Sequence, residues 1–330
     1  MDNPLSRRVL LAGIMGSAAS IGLSSCSKED ILSKYGRVIY QKDVSQKHIY
    51  ILGQEPQKDL RGNLVQPTPA VQRDIYRIGE HLLKEKNIEL VVTERFPYIK
   101  NYLHAPVITG FIEVDRYISE KYGRRALREL HKVNDIQLEK LIGEVPFASA
   151  VHLLLWREMS NILFGGEDTY AELGESMIRE LAKYRFKPDQ ILPNDYLVAL
   201  NYFAERRSAG LLKNTVNIIE TKSFGNSSIK PRALLVVEYS CLDEIIRFVD
   251  KDEVNIPSAS IQLEPSAPAK ILKGVSEKLE LSSRGCGVTV IMPHSIPPKD
   301  WEKVEQDARL SCKPEPNAVT KTAHEPCAQK

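Results

Sequence analysis

The sequence predicts an α/β fold: a mostly parallel central sheet with flanking helices and a helical insertion. Three runs carry that prediction. His48 to Gly53 (HIYILG) is a short apolar, β-branched stretch, read as a buried strand. Thr68-Pro69 then opens a segment in which Val71, Ile75, Ile78, Leu82 and Leu83 recur at helical spacing through Lys86, with Thr as cap and Pro at the first helical position. Ile88 to Thr93 (IELVVT) is a second buried strand, ending at Glu94. The order β-α-β with a crossover this long favours parallel strands.

The remaining elements follow in order. A polar loop with Gly62, Asn63, Pro67 and Pro69 separates the first strand from its helix. Residues 111–142 are rich in helix formers and charges, and read as two helices broken near Gly123. Ala148 to Met159 is a strongly apolar helix, and Ile162 to Phe164 reads as a short strand turning at Gly165-Gly166-Glu167-Asp168. Helices follow at about 169–184 and 196–220. Ala233 to Val237 is a strand, Leu242 to Val249 a helix and Gly287 to Met292 a last strand. The organisation predicted is a signal over 1–25, a tether over 26–45, an α/β domain over 46–299 with a helical insertion at about 111–225, and a weakly ordered tail over 300–330.

The first residues locate the protein. Arg7 and Arg8 form a basic start, Val9 to Leu23 is an apolar run, and Leu23-Ser24-Ser25-Cys26 has the form of a lipobox. Cleavage before Cys26 would leave a lipid-modified cysteine, and the run is short of the roughly 20 residues that span a bilayer. An uncleaved anchor or a plain N-terminal helix are the competing readings. The expected place is the bacterial cell envelope, facing away from the cytoplasm. Ser27 rather than Asp after the cysteine favours the outer membrane in a Gram-negative cell. Ser6-Arg7-Arg8-Val9-Leu10-Leu11 is also a loose twin-arginine pattern, so both general secretion and twin-arginine export stay open.

Lys plus Arg number 45 and Asp plus Glu 43, and loss of Arg7, Arg8 and Asp2 with the signal leaves a side-chain balance of +1. That balance gives no footprint for nucleic acid. The apolar fraction of 42% is that of an ordinary globular domain. Of five cysteines, Cys26 is the lipid site. Cys312 and Cys327 sit in a Pro-rich tail where an oxidising compartment would allow a disulfide. Cys241 and Cys286 adjoin strands without CxxC spacing, which argues against zinc and for small buried hydrophobes.

Ligands of parallel α/β sheets bind at the carboxyl ends of the strands. The polar groups expected there are Gln54-Glu55, Glu94, Glu167-Asp168, and Glu238 with Cys241. Carboxylates gathered at one edge either hold a cation or raise one another's pKa, and oxygen ligands suit manganese, calcium or magnesium. Against this, each acid could instead cap the following helix or face solvent. Glu94 is the best single candidate, because an unpaired carboxylate at the end of an apolar strand is costly. His48 lies at the opposite end from the site. His104 and Tyr98, in the loop after Glu94, could reach the strand ends, whereas His81, His131 and His152 lie within helices.

Five blocks carry a family resemblance: Gly53-Gln54-Glu55-Pro56, Val91-Val92-Thr93-Glu94 with Phe96, Gly166-Glu167-Asp168, Glu205-Arg206-Arg207-Ser208, and Leu234 to Ile246 with Glu238-Tyr239-Ser240-Cys241. Together the chain resembles the TraB/Tiki/ChaN-like superfamily, which includes erythromycin esterases, from about Ile49 to Met292. The resemblance implies two Gly-x-x-His turns. Pro56 stands at the first histidine, Cys241 at the second, and Glu238 replaces the second glycine. Glu94 and Arg207 match. Metal-dependent hydrolysis in the family is associated with those histidines and the glutamate, so their loss points to altered or lost chemistry. ChaN-like lipoproteins are described as haem binders, and Tyr98 is a residue type that ligates haem iron, but no other residue supports it.

The expectation favoured is a membrane-anchored, non-catalytic binding or scaffold lipoprotein whose partner is a small ligand or an envelope protein. The alternative is a divergent metal-dependent hydrolase of a peptide or ester bond. In that case Glu55, Glu94 and Glu238 are the oxygen ligands of a divalent metal, Arg207 steadies an anion, and Cys241 is a further catalytic candidate. A haem or iron carrier is the weaker third.

Overall fold

The computed structural model describes residues 31–56, 65–97, 130–144, 163–167, 194–221, 232–256 and 275–297 except 44, 46, 87 and 89, with shorter stretches between them. The chain forms an α/β domain. Helix α1 (Ile31–Tyr35) leads into β1 (Gly36–Lys42) and β2 (Lys47–Gln54). Then come α2 (Pro69–Glu85), β3 (Leu90–Pro97), α3 (Asp135–Glu144), β4 (Leu163–Glu167), α4 (Asn194–Thr221) and β5 (Arg232–Glu238). A 3₁₀ turn (Tyr239–Cys241) and α5 (Leu242–Lys251) follow. Four short strands come next: β6 (Glu253–Ile256), β7 (Ile261–Gln262), β8 (Lys270–Ile271) and β9 (Val275–Lys278). The last strand is β10 (Cys286–Pro293).

The main sheet has six strands in the order β1-β10-β2-β5-β3-β4. Five run parallel and β1 alone is antiparallel, on β10. All eight residues of β10 are buried, as are Ile49, Ile51, Leu52 and Ala233 to Val237, so the inner strands are covered on both faces. This explains why they read as continuous apolar runs in the sequence. From α2, Val71, Ile75, Ile78 and Leu82 enter the core at the expected spacing. Leu242, Ile245, Phe248 and Val249 do so from α5.

Several expectations shift. Residues 31–42, expected within the tether, are α1 and β1, and Tyr35 is buried in the core. β3 runs on to Pro97, so Glu94 lies inside the strand and does not end it. β4 passes straight through Gly165 and Gly166 to Glu167, and as a strand of the main sheet it makes the insertion part of the sheet. His48 keeps its expected place at the amino end of β2, as its second residue. The antiparallel pairs β6–β9 and β7–β8, between α5 and β10, had no counterpart in the sequence reading. β9 shows why, since Val275, Ser276 and Lys278 are exposed and leave no apolar alternation. The breaks near Gly123 and most of the helices at 148–159 and 169–184 lie outside the described residues, as do residues 1–30 and 298–330 with Cys26, Cys312 and Cys327. Among the described residues no helix is long and apolar enough to cross a membrane.

Helix α4 has 28 residues and serves two cores. Ala209, Leu211, Leu212, Val216 and Ile219 join the main core. Tyr196, Ala199, Leu200, Tyr202 and Phe203 join a separate cluster with Ile178.

At the amino edge of the sheet, His48 is 3% exposed and its Nε2 lies 2.8 Å from Thr289 Oγ1. Position 287 takes no side chain, because a Cβ there would collide with the Asp43 carbonyl and crowd the His48 ring. Burial first, then the cations Arg232 and Lys86, push the His48 pKa from 6.5 down to about 4. The unfolded chain therefore takes up this proton before the folded chain does. Stability is expected to fall as pH drops below 6.5 and to level off below about 4. The total cost is about 3 kcal/mol. Urea titrations of parent and His48→Gln across that window test this: the variant should lose that part of the slope, and equal slopes would count against it.

Candidate functional site

The strand order dictates where a site can form. From β2 the chain crosses by α2 to β3, two positions along the sheet, leaving a gap. It returns from β4 by α4 to β5, which fills that gap, and goes on past β2 to β10. Right-handed crossovers running in opposite directions put their helices on opposite faces. The packing agrees, since α2 lies against α1 and α3 while α4 lies against α5. β2 and β5 are thus neighbours whose chains leave toward opposite faces, the place where open α/β sheets have a crevice.

Two sequence blocks meet there. Gln54 and Glu238 are register partners at the carboxyl ends of β2 and β5. The chain approaches itself closely at Gly53, where a Cβ would come within 2.9 Å of Leu242 Cδ1 and 3.3 Å of Met292 Sδ, so the smallest residue fits best. Glu238 is 8% exposed, and its Oε2 stands 3.6 Å from Arg207 Nη2 of α4. Gln54 is 2% exposed, and its buried Oε1 has no hydrogen-bond partner among the described residues. A buried amide oxygen left in this way costs roughly 1–3 kcal/mol.

Glu55 has a different task from the ligand role expected of it. Its Oε1 accepts from the Thr68 backbone N–H at 2.6 Å and from Gln72 Nε2 at 2.9 Å. Gln72 in turn accepts from the Ala150 N–H at 2.7 Å. Thr68 holds the cap position of α2 as expected, but its side chain makes no cap bond, and Glu55 supplies the carboxylate that favours a helix N-terminus. Arg207, expected to steady an anion, pairs with Glu238. Cys241 is buried, in no disulfide, and stands immediately before α5. Ser208 Oγ donates to Ala204 O, as serines inside helices do.

Glu94 and Glu167 lie on adjacent strands at the same edge as this crevice, and their side chains lie outside the described residues, as do Asp168, Tyr98 and His104. Among the described residues no three His, Cys, Asp or Glu side chains are grouped to hold a metal. The structure thus brings Gln54, Glu238 and Arg207 together and leaves Glu55 at the head of α2.

The sequence reading missed a second polar cluster. Arg247 of α5 lies 3.0 Å from Glu244 and 3.7 Å from Glu205 of α4. Burial, then the nearby Glu205, raises the Glu244 pKa to about 7, with Arg247 and a Ser208 hydrogen bond opposing. Burial likewise raises Glu205, against Arg247 and an Asn255 hydrogen bond. Glu205 stood in one of the resemblance blocks, but its pairing with Glu244 and Arg247 depends on how α4 and α5 face each other, which their charges alone do not give.

Two outcomes follow. Glu238→Gln leaves the Arg207 guanidinium buried beside a neutral amide and should destabilise by about 3 kcal/mol in denaturant unfolding. Arg207→Met with Glu238→Gln should recover part of that loss, and a neutral single variant would rule out the ion pair as a structural element. Glu244 binds its proton more tightly folded than unfolded, so its contribution is present below about pH 4.5 and lost as pH rises through 7. Glu244→Gln should therefore stabilise by about 1–2 kcal/mol above pH 7, allowing for solvent screening, and be nearly neutral at pH 4. Thermal melts at both pH values check it.

Set against models of protein families, curated proteins and solved structures, the chain matches none of them.

Proposed function

We propose that this chain is a lipid-anchored protein of the bacterial cell envelope whose TraB/ChaN-like domain binds a small ligand or an envelope partner and has lost hydrolysis. The observation that carries this reading is the pairing of Glu238 with Arg207 in the switch-point crevice. A guanidinium at that carboxylate opposes a divalent cation. Glu55, the second oxygen ligand a hydrolase would need, already accepts two hydrogen bonds at the start of α2. Pro56 has no group to ligate a metal or carry a proton. What the crevice offers is recognition chemistry: an amide oxygen ready to accept, a carboxylate and a guanidinium. The envelope location rests on Arg7-Arg8, the apolar run and Leu23-Ser24-Ser25-Cys26.

The alternative, a divergent metal-dependent hydrolase, rests on Glu94 and Glu167 lying on neighbouring parallel strands at the same edge. Elemental analysis by mass spectrometry separates the two readings. It is made on the form starting at Ser27, after add-back of manganese, zinc, calcium and iron, beside Glu94→Ala. The binding reading expects no metal that depends on Glu94. One metal per chain, lost in the variant, would replace it with the hydrolase. An absorption band on adding haem would instead revive the carrier reading. In fractionated cells, Cys26→Ala should leave the membrane for the soluble fraction.

A further inference from the structure

The described chain enters the sheet at one of its two edges. Because β1 is antiparallel, Gly36 pairs with Pro293, the last residue of β10, so α1 and the start of β1 stand at the carboxyl edge of the five parallel strands. The join is tied down there. His294 N–H donates to Tyr35 O at 2.9 Å, Arg37 Nη2 donates to Ile296 O at 3.3 Å, and Tyr35 Oη donates to Asp135 Oδ2 at 2.8 Å. The crevice is at this same edge. Gln54 is two strands from β1 and Glu238 three, about 10 and 14 Å across the sheet.

Only residues 27–30 separate Cys26 from α1. Covalent geometry limits the Cα distance from Cys26 to Ile31 to about 18 Å, whatever path those residues take. The amino edge lies a further seven residue steps along β10, about 23 Å away. At the exit Lys34 is exposed, and such a cation is attracted to anionic headgroups.

We infer that the carboxyl edge of the sheet is the membrane-facing surface of the anchored protein, so that the Gln54–Glu238–Arg207 crevice opens onto lipid headgroups and takes its ligand from the bilayer surface. This rests on the lipid anchor at Cys26 proposed above. The partner is the phospholipid bilayer itself, chosen because the tether is too short to hold that edge away from it.

The test uses the full lipidated protein in vesicles of phosphatidylethanolamine and phosphatidylglycerol containing a nitroxide-headgroup lipid. Cys312→Ser and Cys327→Ser remove the tail thiols, and a bimane is placed singly by Lys34→Cys, Val65→Cys or Ser283→Cys. Lys34 is beside the exit, Val65 is in the carboxyl-edge loop leading into α2, and Ser283 is in the exposed turn at the amino edge. Lys34 should be quenched whenever Cys26 carries lipid, and Val65 about threefold or more above Ser283, given their separation across the sheet. Quenching at Lys34 with Val65 no greater than Ser283 would overturn the orientation while leaving the anchor in place. No quenching at Lys34, with an unlipidated N-terminus by mass spectrometry, would remove the anchor and the orientation together.

Discussion

The ladder between β2 and β5, from His48 against Arg232 to Gln54 against Glu238, is the interaction on which the rest of the structure depends. It inserts a strand made late in the chain between two made early, and that insertion reverses the winding direction. From the reversal come helices on opposite faces, a crevice at the carboxyl ends, and two strands buried on both sides. The apolar cost of exposing such strands would be large, since each fully buried Val, Leu or Ile contributes about 1.5–3 kcal/mol. Register here is set by main-chain pairing and by the close approach at Gly53, which together place Gln54 and Glu238 side by side.

The polar groups at the two edges are organised by opposite physical rules. At the amino edge His48 is kept neutral by burial and neighbouring cations, so its role is compatible with a core position. At the carboxyl edge polar groups are paired: Glu238 with Arg207, Glu55 with the N-terminus of α2, and Glu205 and Glu244 with Arg247, although burial raises the pKa of both Glu205 and Glu244. A buried ion pair is weak evidence for stability, because desolvation offsets its attraction. Its use here is orientation: it holds the middle of α4 over the end of β5. The Gln54 oxygen, unpartnered among the described residues, departs from that pairing, and binding sites are where such departures are expected.

The fold was legible where burial is two-sided. HIYILG, IELVVT, ALLVV and GVTVIM are strands within a few residues of their expected bounds, and the helical spacing from Val71 to Leu82 is a packed face. β1 was not legible, because as an edge strand it mixes exposed Val38 and Gln41 with half-buried neighbours and lacks a continuous apolar run. The ends of β3 and β4 ran past their expected stops, because pairing with neighbours carries a strand beyond what its own composition suggests. The site was half legible. Strand-end acids could be picked from the sequence, but whether an acid caps a helix, as Glu55 does, or faces an arginine, as Glu238 does, depends on partners more than ten positions away.

The position of β10 between β1 and β2 also governs the order in which the domain can be made. Those two strands are close in sequence yet are bridged only by β10, the last strand of the sheet to be synthesised. The bond from Arg37 to Ile296 closes a loop of 259 positions. Such non-local closure makes folding slow, and a nascent chain short of β10 exposes open strand edges that chaperones can engage. Maturation is therefore all-or-nothing at its C-terminal side: a chain truncated before Cys286 loses the seam that joins its beginning to its centre.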